Sequence, residues 1–569
     1  MVDVIFDGDR LNVRLNKNIY KKVLKVAKEA QYFEYAHEIG VMSLPPTKRI
    51  ARTLYGMGLG FDDTAKVFVN KIAPNENSNE VDFSVLKPLL LRHYQEQGVT
   101  WMLKTSIHFL LGDDMGLGKS VQIATYLLFR QTFPVLIICQ ASLKLNWERE
   151  ISIWTKKKCL VLEGLNPYPI EGLLDEFPIV IINYDILGRK DKLEVEYEEK
   201  RIEAAKGNKL PYRRKTIHPF GWVDVLKQIQ FKEIICDECQ YIGEADTART
   251  QCVVDIMKKI KYARRIFLSG TPYTSSVRRF FTTLHLIDPI TFANRWRYLM
   301  TFCDPVKDWF GWRFDGLSNG EQLHDLVSKI MLRRLKKDVL PELPEKIKSI
   351  VPMKLDKKAL AKYYNNEMIL LGRKINSQKQ TYQDLKRMAY YAKIDSCIQW
   401  IKEYLEINNK LVVFVYHRES FTRIMDEFKG TVVGINGEVP SNIRQGKVDQ
   451  FQKDKKIKLF CGQIRAAGVG ITLTAASAVA FVEFGDTAAE HEQAEDRIHR
   501  ISQKADSVIA YYLIAQGTID EDIIEHIKTG YANQKQVLDG EVNAEFISDT
   551  SVDFAKNILK ARSSKIKSL

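Results

Sequence analysis

The chain has 569 residues, 45% of them hydrophobic and 27% charged, a composition that excludes a disordered or fibrous polymer and leaves room for roughly four domains. Its formal net charge of +14 favours a polyanionic partner, nucleic acid first. No run approaches the roughly 18 apolar residues of a membrane span, and residues 1–4 lack the layout of a signal peptide.

Residues 1–80 read as a small accessory domain without recognisable chemistry. Short β segments are expected at 2–6 and 11–15, a helix over about 19–36, a break at Pro45-Pro46 and a second helix over 47–55. From Val81 apolar strands alternate with helices, the pattern of a doubly wound parallel sheet. Gln95 lies just ahead of a glycine-rich turn, and its amide is able to donate and accept on an adenine edge. The turn, 111–120, reads Leu-Gly-Asp-Asp-Met-Gly-Leu-Gly-Lys-Ser between an apolar run at 108–111 and a helical pattern at 121–129. Gly116 and Gly118 let backbone N–H groups approach a phosphate chain, Lys119 reaches its β/γ end, and Ser120 is placed to ligate magnesium. The helix N-terminus adds partial positive charge. Strict phosphate-loop spacing asks for glycine where Asp113 stands, so a plain strand-to-helix turn is the alternative.

Further strands are expected at 134–139 and 179–183, and 188–215 is a charged insertion with ten Lys/Arg and six Asp/Glu that reads as a solvated face rather than a DNA contact. The strand at 234–236 ends in Asp237-Glu238, at the edge where open α/β sheets bind ligands. There Asp237 suits a magnesium ion and Glu238 an attacking water. Cys236 and Cys239 form a Cys-x-x-Cys with no second pair at zinc spacing, so no metal or redox role is expected of them. A strand at 265–268 runs into Ser269-Gly270-Thr271-Pro272, whose hydroxyls are placed to link nucleotide state to a neighbouring domain.

Residues 273–350 hold Trp296, Trp309, Phe310 and Trp312, read as packed core in preference to a base-stacking platform, and 355–408 is helical. A second α/β unit has strands at 411–415, 457–461, 478–484 and 508–515 but no phosphate loop. Arg497 and Arg500 share a face if 493–503 is helical. In a domain without its own nucleotide loop they read as fingers for a neighbour's γ-phosphate. The alternative is a surface helix with salt bridges through Glu495 and Asp496.

Together these segments, over about 90–540, resemble the Swi/Snf family of DNA-dependent ATPases in helicase superfamily two. Residues 113–120 are like its first motif, which also has an acidic residue where the strict loop has glycine. Asp237-Glu238-Cys239-Gln240 is like the second, although His is commoner at the position of Gln240. Residues 268–272 and 493–503 are like the third and sixth, with Ser502 where Gly is usual. Residues 141–147, 298–303, 310–312 and 331–343 are similar to the annealing-helicase, fork-remodelling branch.

The resemblance implies an α/β fold of two RecA-like doubly wound parallel-sheet lobes with helical insertions, plus a small N-terminal accessory domain. The expected domains are 1–80 (accessory), 81–285 (first lobe, with the ATP site), 286–405 (linker and helical insertions), 406–540 (second lobe) and 541–569 (basic tail). It implies ATP and Mg2+, with Gln95, Asp114, Gly116, Leu117, Gly118, Lys119, Ser120 and Gly470 toward the nucleotide and Ser120 and Asp237 toward the metal. Catalysis falls to Lys119, Asp237, Glu238, Arg497 and Arg500, and coupling to Ser269, Thr271 and Gln493. Ser142, Lys144 and Thr472 are the expected contacts to the DNA backbone.

The implied function is ATP-driven translocation on double-stranded or branched DNA in fork remodelling, annealing, repair or recombination, alongside other replication or recombination proteins. A strand-separating DNA or RNA helicase and a nucleotide-gated DNA clamp with little turnover are the alternatives. A chain without long flanking tails suggests a bacterial or viral setting, cytoplasmic and near the nucleoid, or the nucleus in a eukaryote.

Overall fold

The structure, a computed structural model, describes residues 4–6, 11–14, 23–24, 34–36, 41–44, 54, 81–86, 89–105, 108–188, 221–274, 276–309, 311–355, 357–372, 378–467, 471–542 and 544–546. Two parallel sheets form its body. The first has seven strands in the order Met331–Leu332, Phe109–Leu111, Arg264–Leu268, Glu233–Asp237, Val135–Cys139, Ile179–Asn183 and Cys159–Val161. The second has six, Glu345–Met353, Ser507–Ala515, Ala478–Phe481, Leu411–Val415, Leu459–Gln463 and Val432–Ile435. All pairings within both sheets are parallel.

Strands such as Val135–Cys139 (Val-Leu-Ile-Ile-Cys) are apolar throughout because helices cover both faces of a parallel sheet. Leu136 and Ile138 enter one core of the first lobe, and Val135, Ile137 and Cys139 the other. The second lobe repeats this, with Val412 and Phe414 on one side and Leu411, Val413 and Val415 on the other. The expected strands are present, each within a few residues of its predicted bounds.

Four expectations are corrected. Residues 286–405 are not a separate linker region: Met331–Leu332 completes the first sheet beside Phe109–Leu111, and Glu345–Met353 completes the second beside Ser507–Ala515. Helix Gln378–Ile407 packs Leu385, Ala389, Ile394 and Ile401 into the second lobe's cores. The supposed tail starts later, because Phe546 packs against Tyr512 and Tyr531 with centroids 5.4 and 5.3 Å away. Residues 34–36, expected in a helix, are strand: Glu34–Ala36 pairs with Val41–Leu44, and these join Val4–Phe6 and Leu11–Arg14 in a four-stranded antiparallel sheet. The aromatic cluster at Trp296, Trp309 and Trp312 is exposed, not core, because it sits on helix Arg295–Phe302 and a hairpin of Val306–Asp308 and Gly311–Arg313. The charged segment 189–215, Phe310, Gly470 and the tail from 547 onward lie outside the described residues.

The lobes are held together by helix Ile519–Asp539. Its first half packs Ile519, Ile523, Ile524 and Ile527 into the second lobe, and its end buries Val537 and Leu538 in the first. Gln534 donates to the Tyr273 carbonyl (2.6 Å) and the Tyr273 hydroxyl to the Asn533 carbonyl (3.0 Å).

Candidate functional site

Helix Lys119–Arg130 begins on Gly118 (φ 74°), with Gly116 also at positive φ (86°), values that L side chains avoid. No side chain caps this helix, so its first N–H groups point into the turn unfilled, a ready site for an anion. A Cβ at Gly118 would come within 2.5 Å of Gln95 Nε2, so glycine is needed for the close approach as well. Gln95 is held there on both sides: Nε2 donates to the Leu117 carbonyl (3.2 Å) and Oε1 accepts from the Arg92 N–H (3.0 Å). Lys119 Nζ donates to the carbonyls of Asp113 (2.8 Å) and Asp114 (3.4 Å), neutral oxygens that a phosphate displaces readily.

The aspartates of this turn have another job. Met331–Leu332 runs in register with Leu110 and Leu111, so the residues after each strand lie side by side, Arg333 and Arg334 next to Gly112 and Asp113. Arg334 Nε donates to the buried Asp113 carboxylate at 3.0 Å, and Gln122 Nε2 adds a second donor at 3.0 Å. This is why an acid occupies the position where strict loops have glycine. Asp114, expected at the nucleotide, lines the inter-lobe cleft and takes Arg333 Nη2 (3.2 Å) and the Lys336 N–H (3.0 Å). Arg333 further donates to the carbonyls of Gly112 (2.6 Å) and Gly270 (3.0 Å) and pairs with Asp539.

Strand Glu233–Asp237 delivers the acidic pair at its carboxyl end. Asp237 is buried and accepts from Trp147 Nε1 (2.8 Å) and from the Glu238 N–H (3.0 Å). Burial and the neighbouring Glu238 carboxylate push it up to about 7. A buried acid so short of positive charge, near Lys119 and the open helix N-terminus, is suited to a divalent cation. Glu238 itself sits at φ 51° and accepts from Gln240 Nε2 at 2.8 Å. Ser269 Oγ in turn donates to Gln240 Oε1 (2.7 Å) and accepts from the Thr271 N–H (3.0 Å), which joins the two loops. The Thr271 hydroxyl is buried without a hydrogen-bond partner among the described residues. Cys236 and Cys239 are buried, and burial raises both thiols.

The arginine segment corrects the helix expected over it. Helix Ala488–Glu495 stops short, and 496–502 continue as turns and bends that bury Arg497 and leave Arg500 half-buried. Arg497 Nε donates to the Gln493 carbonyl (3.0 Å), and Arg500 Nη1 to the Thr472 hydroxyl (2.6 Å). Burial and Arg500 lower Arg497 to about 9, opposed by Asp496 and by Glu238 of the other lobe. The salt bridges of the alternative reading exist but are buried. Asp496 pairs with Lys336 (2.8 Å) and Lys346 (3.2 Å), and Glu495 with Lys346 (3.0 Å). Lys336 also donates to the His499 carbonyl (3.0 Å), so one residue bonds both the lysine-bearing turn and the arginine segment. A cleft of about 460 Å³ opens between them, reached by Met115, Thr271, Lys336 and His499.

A second cleft of about 460 Å³ also joins the lobes, lined by Ser142 on one side and Arg444, Gln463 and Arg465 on the other. Among the described residues Arg444 bonds only carbonyls, of Val439 (2.9 Å) and Ala466 (3.1 Å). Of the three expected backbone contacts Ser142 alone is there. Lys144 is turned onto the Leu162 carbonyl (2.9 Å), and Thr472 is engaged by Arg500.

Sequence reading missed Trp147, Arg333, Arg334 and Lys336 as parts of the site. The signal for the arginines was present: two bases after a short apolar pair, matching two acids after an apolar run.

A profile of the SNF2-related domain matches residues 94–412, and one of the helicase conserved C-terminal domain matches 392–502. The chain is 31% identical to a DNA annealing helicase and endonuclease, ZRANB3, of Bos taurus over 78% of its own length and 40% of the relative's. It is 31% identical to a SWI/SNF-related matrix-associated actin-dependent regulator of chromatin subfamily A-like protein 1 homolog of Caenorhabditis elegans, over 80% of this chain and 62% of that one. The chain therefore spans less than two thirds of either relative. Among solved structures a Sulfolobus solfataricus SWI2/SNF2 ATPase core in complex with dsDNA aligns over 80% of this chain and 98% of that one, with 22% identity and a TM-score of 0.35.

Proposed function

We propose, since the chain belongs to the SNF2-related family, that it is an ATP-hydrolysing motor that moves along double-stranded DNA and remodels branched DNA. The observation that carries this is the join across the lobes at Lys336, whose N–H is held by Asp114 of the lysine-bearing turn while its ammonium bonds the His499 carbonyl and Asp496 of the arginine segment. Gln95 holds the adenine edge, and Lys119 moves from the Asp113 carbonyl to the phosphates. Ser120 and Asp237 hold magnesium, which when bound neutralises phosphate charge. Glu238, fixed by Gln240 and Ser269, orients the attacking water.

Arg500 reaches the γ-phosphate by leaving Thr472, and the second cleft opens beside residues 464–466. That cleft, with Arg444 unpaired by any carboxylate among the described residues, suits a sequence-blind phosphate backbone. A relative named as a DNA annealing helicase suggests replication, repair or recombination as the setting, wherever the host keeps its DNA.

The test is ATP turnover with duplex DNA, single-stranded DNA and RNA. Stimulation by duplex is expected, with duplex affinity weakening at about −0.9 log units per log unit of salt for each phosphate contacted. Stimulation by RNA alone, or strand displacement from a blunt duplex, would replace this reading by a strand-separating helicase. Turnover indifferent to any polymer would replace it by a nucleotide-gated clamp.

A further inference from the structure

The hairpin of Val306–Asp308 and Gly311–Arg313 carries an aromatic group that the motor reading does not use. Trp309, at its turn, is 101% exposed, while Trp296 and Trp312 are 53% and 41% exposed. The rings are organised, not scattered. Trp296 meets Trp312 edge-on at 6.1 Å and Phe314 at 5.6 Å, and Trp312 stacks over Phe314 within 16°. Indole rings left in water forfeit a large burial gain, so such a cluster is a surface kept for a ligand.

Cations accompany the rings. Lys307 Nζ lies 5.9 Å from the Trp312 centroid, and Arg297 is exposed on the same helix as Trp296. Neither makes an ion pair among the described residues, whereas Arg313 is held by Asp308 at 2.9 Å. The hairpin is also anchored toward the motor: Ser276 Oγ donates to the Phe314 carbonyl (3.3 Å). Ser276 follows the Ser269–Thr271 loop at the carboxyl edge of the first sheet, the edge that also carries Ser142 in the inter-lobe cleft.

We propose that this hairpin is a stacking platform for unpaired DNA bases at a branch point, with Trp309 receiving a base and Lys307 and Arg297 taking the flanking phosphates. Free cations beside exposed rings fit a polyanion with π faces, which a duplex exterior lacks and a single strand offers. An apolar protein surface would leave both charges unanswered. The choice of polymer rests on the DNA reading above; the stacking surface does not.

The test uses the full chain without nucleotide and measures anisotropy of labelled oligo(dT), of a fork with single-stranded arms, and of a blunt duplex. Trp309→Ala should weaken oligo(dT) and fork binding about 5- to 100-fold, leave blunt-duplex affinity unchanged, and be restored largely by Trp309→Phe. Unchanged oligo(dT) affinity in Trp309→Ala, or an equal loss on the blunt duplex, overturns the platform. Wild-type protein that binds oligo(dT) through Trp309 but shows no DNA-stimulated ATPase overturns the motor and keeps the platform. The reverse pattern does the opposite.

Discussion

The two lobes keep their site cations on neutral partners by the same device built from different parts. In the first, Lys119 bonds only main-chain carbonyls among the described residues, while the acids of its own turn, Asp113 and Asp114, are taken by Arg334 and Arg333. In the second, Arg497 and Arg500 bond carbonyls and one hydroxyl, while Glu495 and Asp496 beside them are taken by Lys346 and Lys336. All four counter-cations come from residues 333–346, the stretch that crosses between the lobes. Had the local acids paired with the local bases, a phosphate would have to break a salt bridge to bind. Instead each lobe keeps its cations on weak, neutral partners. They differ in freedom. Lys119 is a flexible ammonium near an open helix end, whereas Arg497 is a buried guanidinium and Arg500 a half-buried one, and both must swing to act.

The comparison breaks first at its flexible end. Lys119→Ala should abolish ATP turnover, read as phosphate release with duplex present, with folding intact because the ammonium anchors only two loop carbonyls. Full turnover in that variant would falsify the site. Arg500→Ala is expected next, losing about 10³–10⁵ in turnover while nucleotide affinity persists. Equal loss of nucleotide binding would mean that Arg500 holds the ground state, and the two lobes would then not differ in role.

The segregation of charge is itself testable. Arg334→Ala strands the Asp113 carboxylate, which is fully buried, and should cost about 3–5 kcal/mol of stability in thermal or urea unfolding. Asp113→Gly, which restores a strict phosphate loop, should recover most of that loss in the double variant because neither charge is then left alone. Failure of the rescue would assign Arg334 to its bonds with Gln122 (2.7 Å) and the Tyr94 carbonyl instead.

What was legible in the sequence follows the same division. Strands buried on both faces announce themselves, as Val135–Cys139 does, and motif residues at their carboxyl ends are then placed by topology. Met331–Leu332 is too short for any period, and Glu345–Met353 alternates Lys-Ile-Lys with a proline near its end, so neither read as sheet. Missing the first hid the register that sets Arg333 and Arg334 against Gly112 and Asp113. Lys144 read as an exposed base because nothing local reveals that the Leu162 carbonyl lies within 2.9 Å of it. The tryptophans read as core because hydrophobicity is a prior about burial, and a ligand surface is where that prior fails.

The smallest expected effect concerns stability, and it separates the lobes by how each keeps one histidine neutral. In the first lobe His108 Nδ1 accepts from the Arg265 N–H at 3.0 Å, so protonation breaks a hydrogen bond. Burial and the two arginines at 265 and 264 draw it down to about 3. In the second lobe His491 Nδ1 donates to the Thr487 carbonyl at 2.8 Å, and its ring lies 4.9 Å from Phe481 and 5.6 Å from Tyr512. Nε2 has no partner among the described residues, and burial, helped by Lys348, draws it down to about 4 against the Thr487 carbonyl and the carboxylates of Glu490 and Glu495. Both values lie below the unfolded value of about 6.5. Between 6.5 and the folded values the unfolded chain therefore binds more protons, and stability falls as pH falls. Each histidine contributes a slope of about 1.4 kcal/mol per pH unit. For His491 the slope ends near pH 4, while for His108 it continues to about 3. His491→Gln should flatten the pH dependence of urea unfolding between 6.5 and 4 by one proton and leave the slope below 4 intact. A variant with the wild-type slope throughout would mean that His491 is already charged in the folded lobe, and only the first lobe would hold its imidazole neutral.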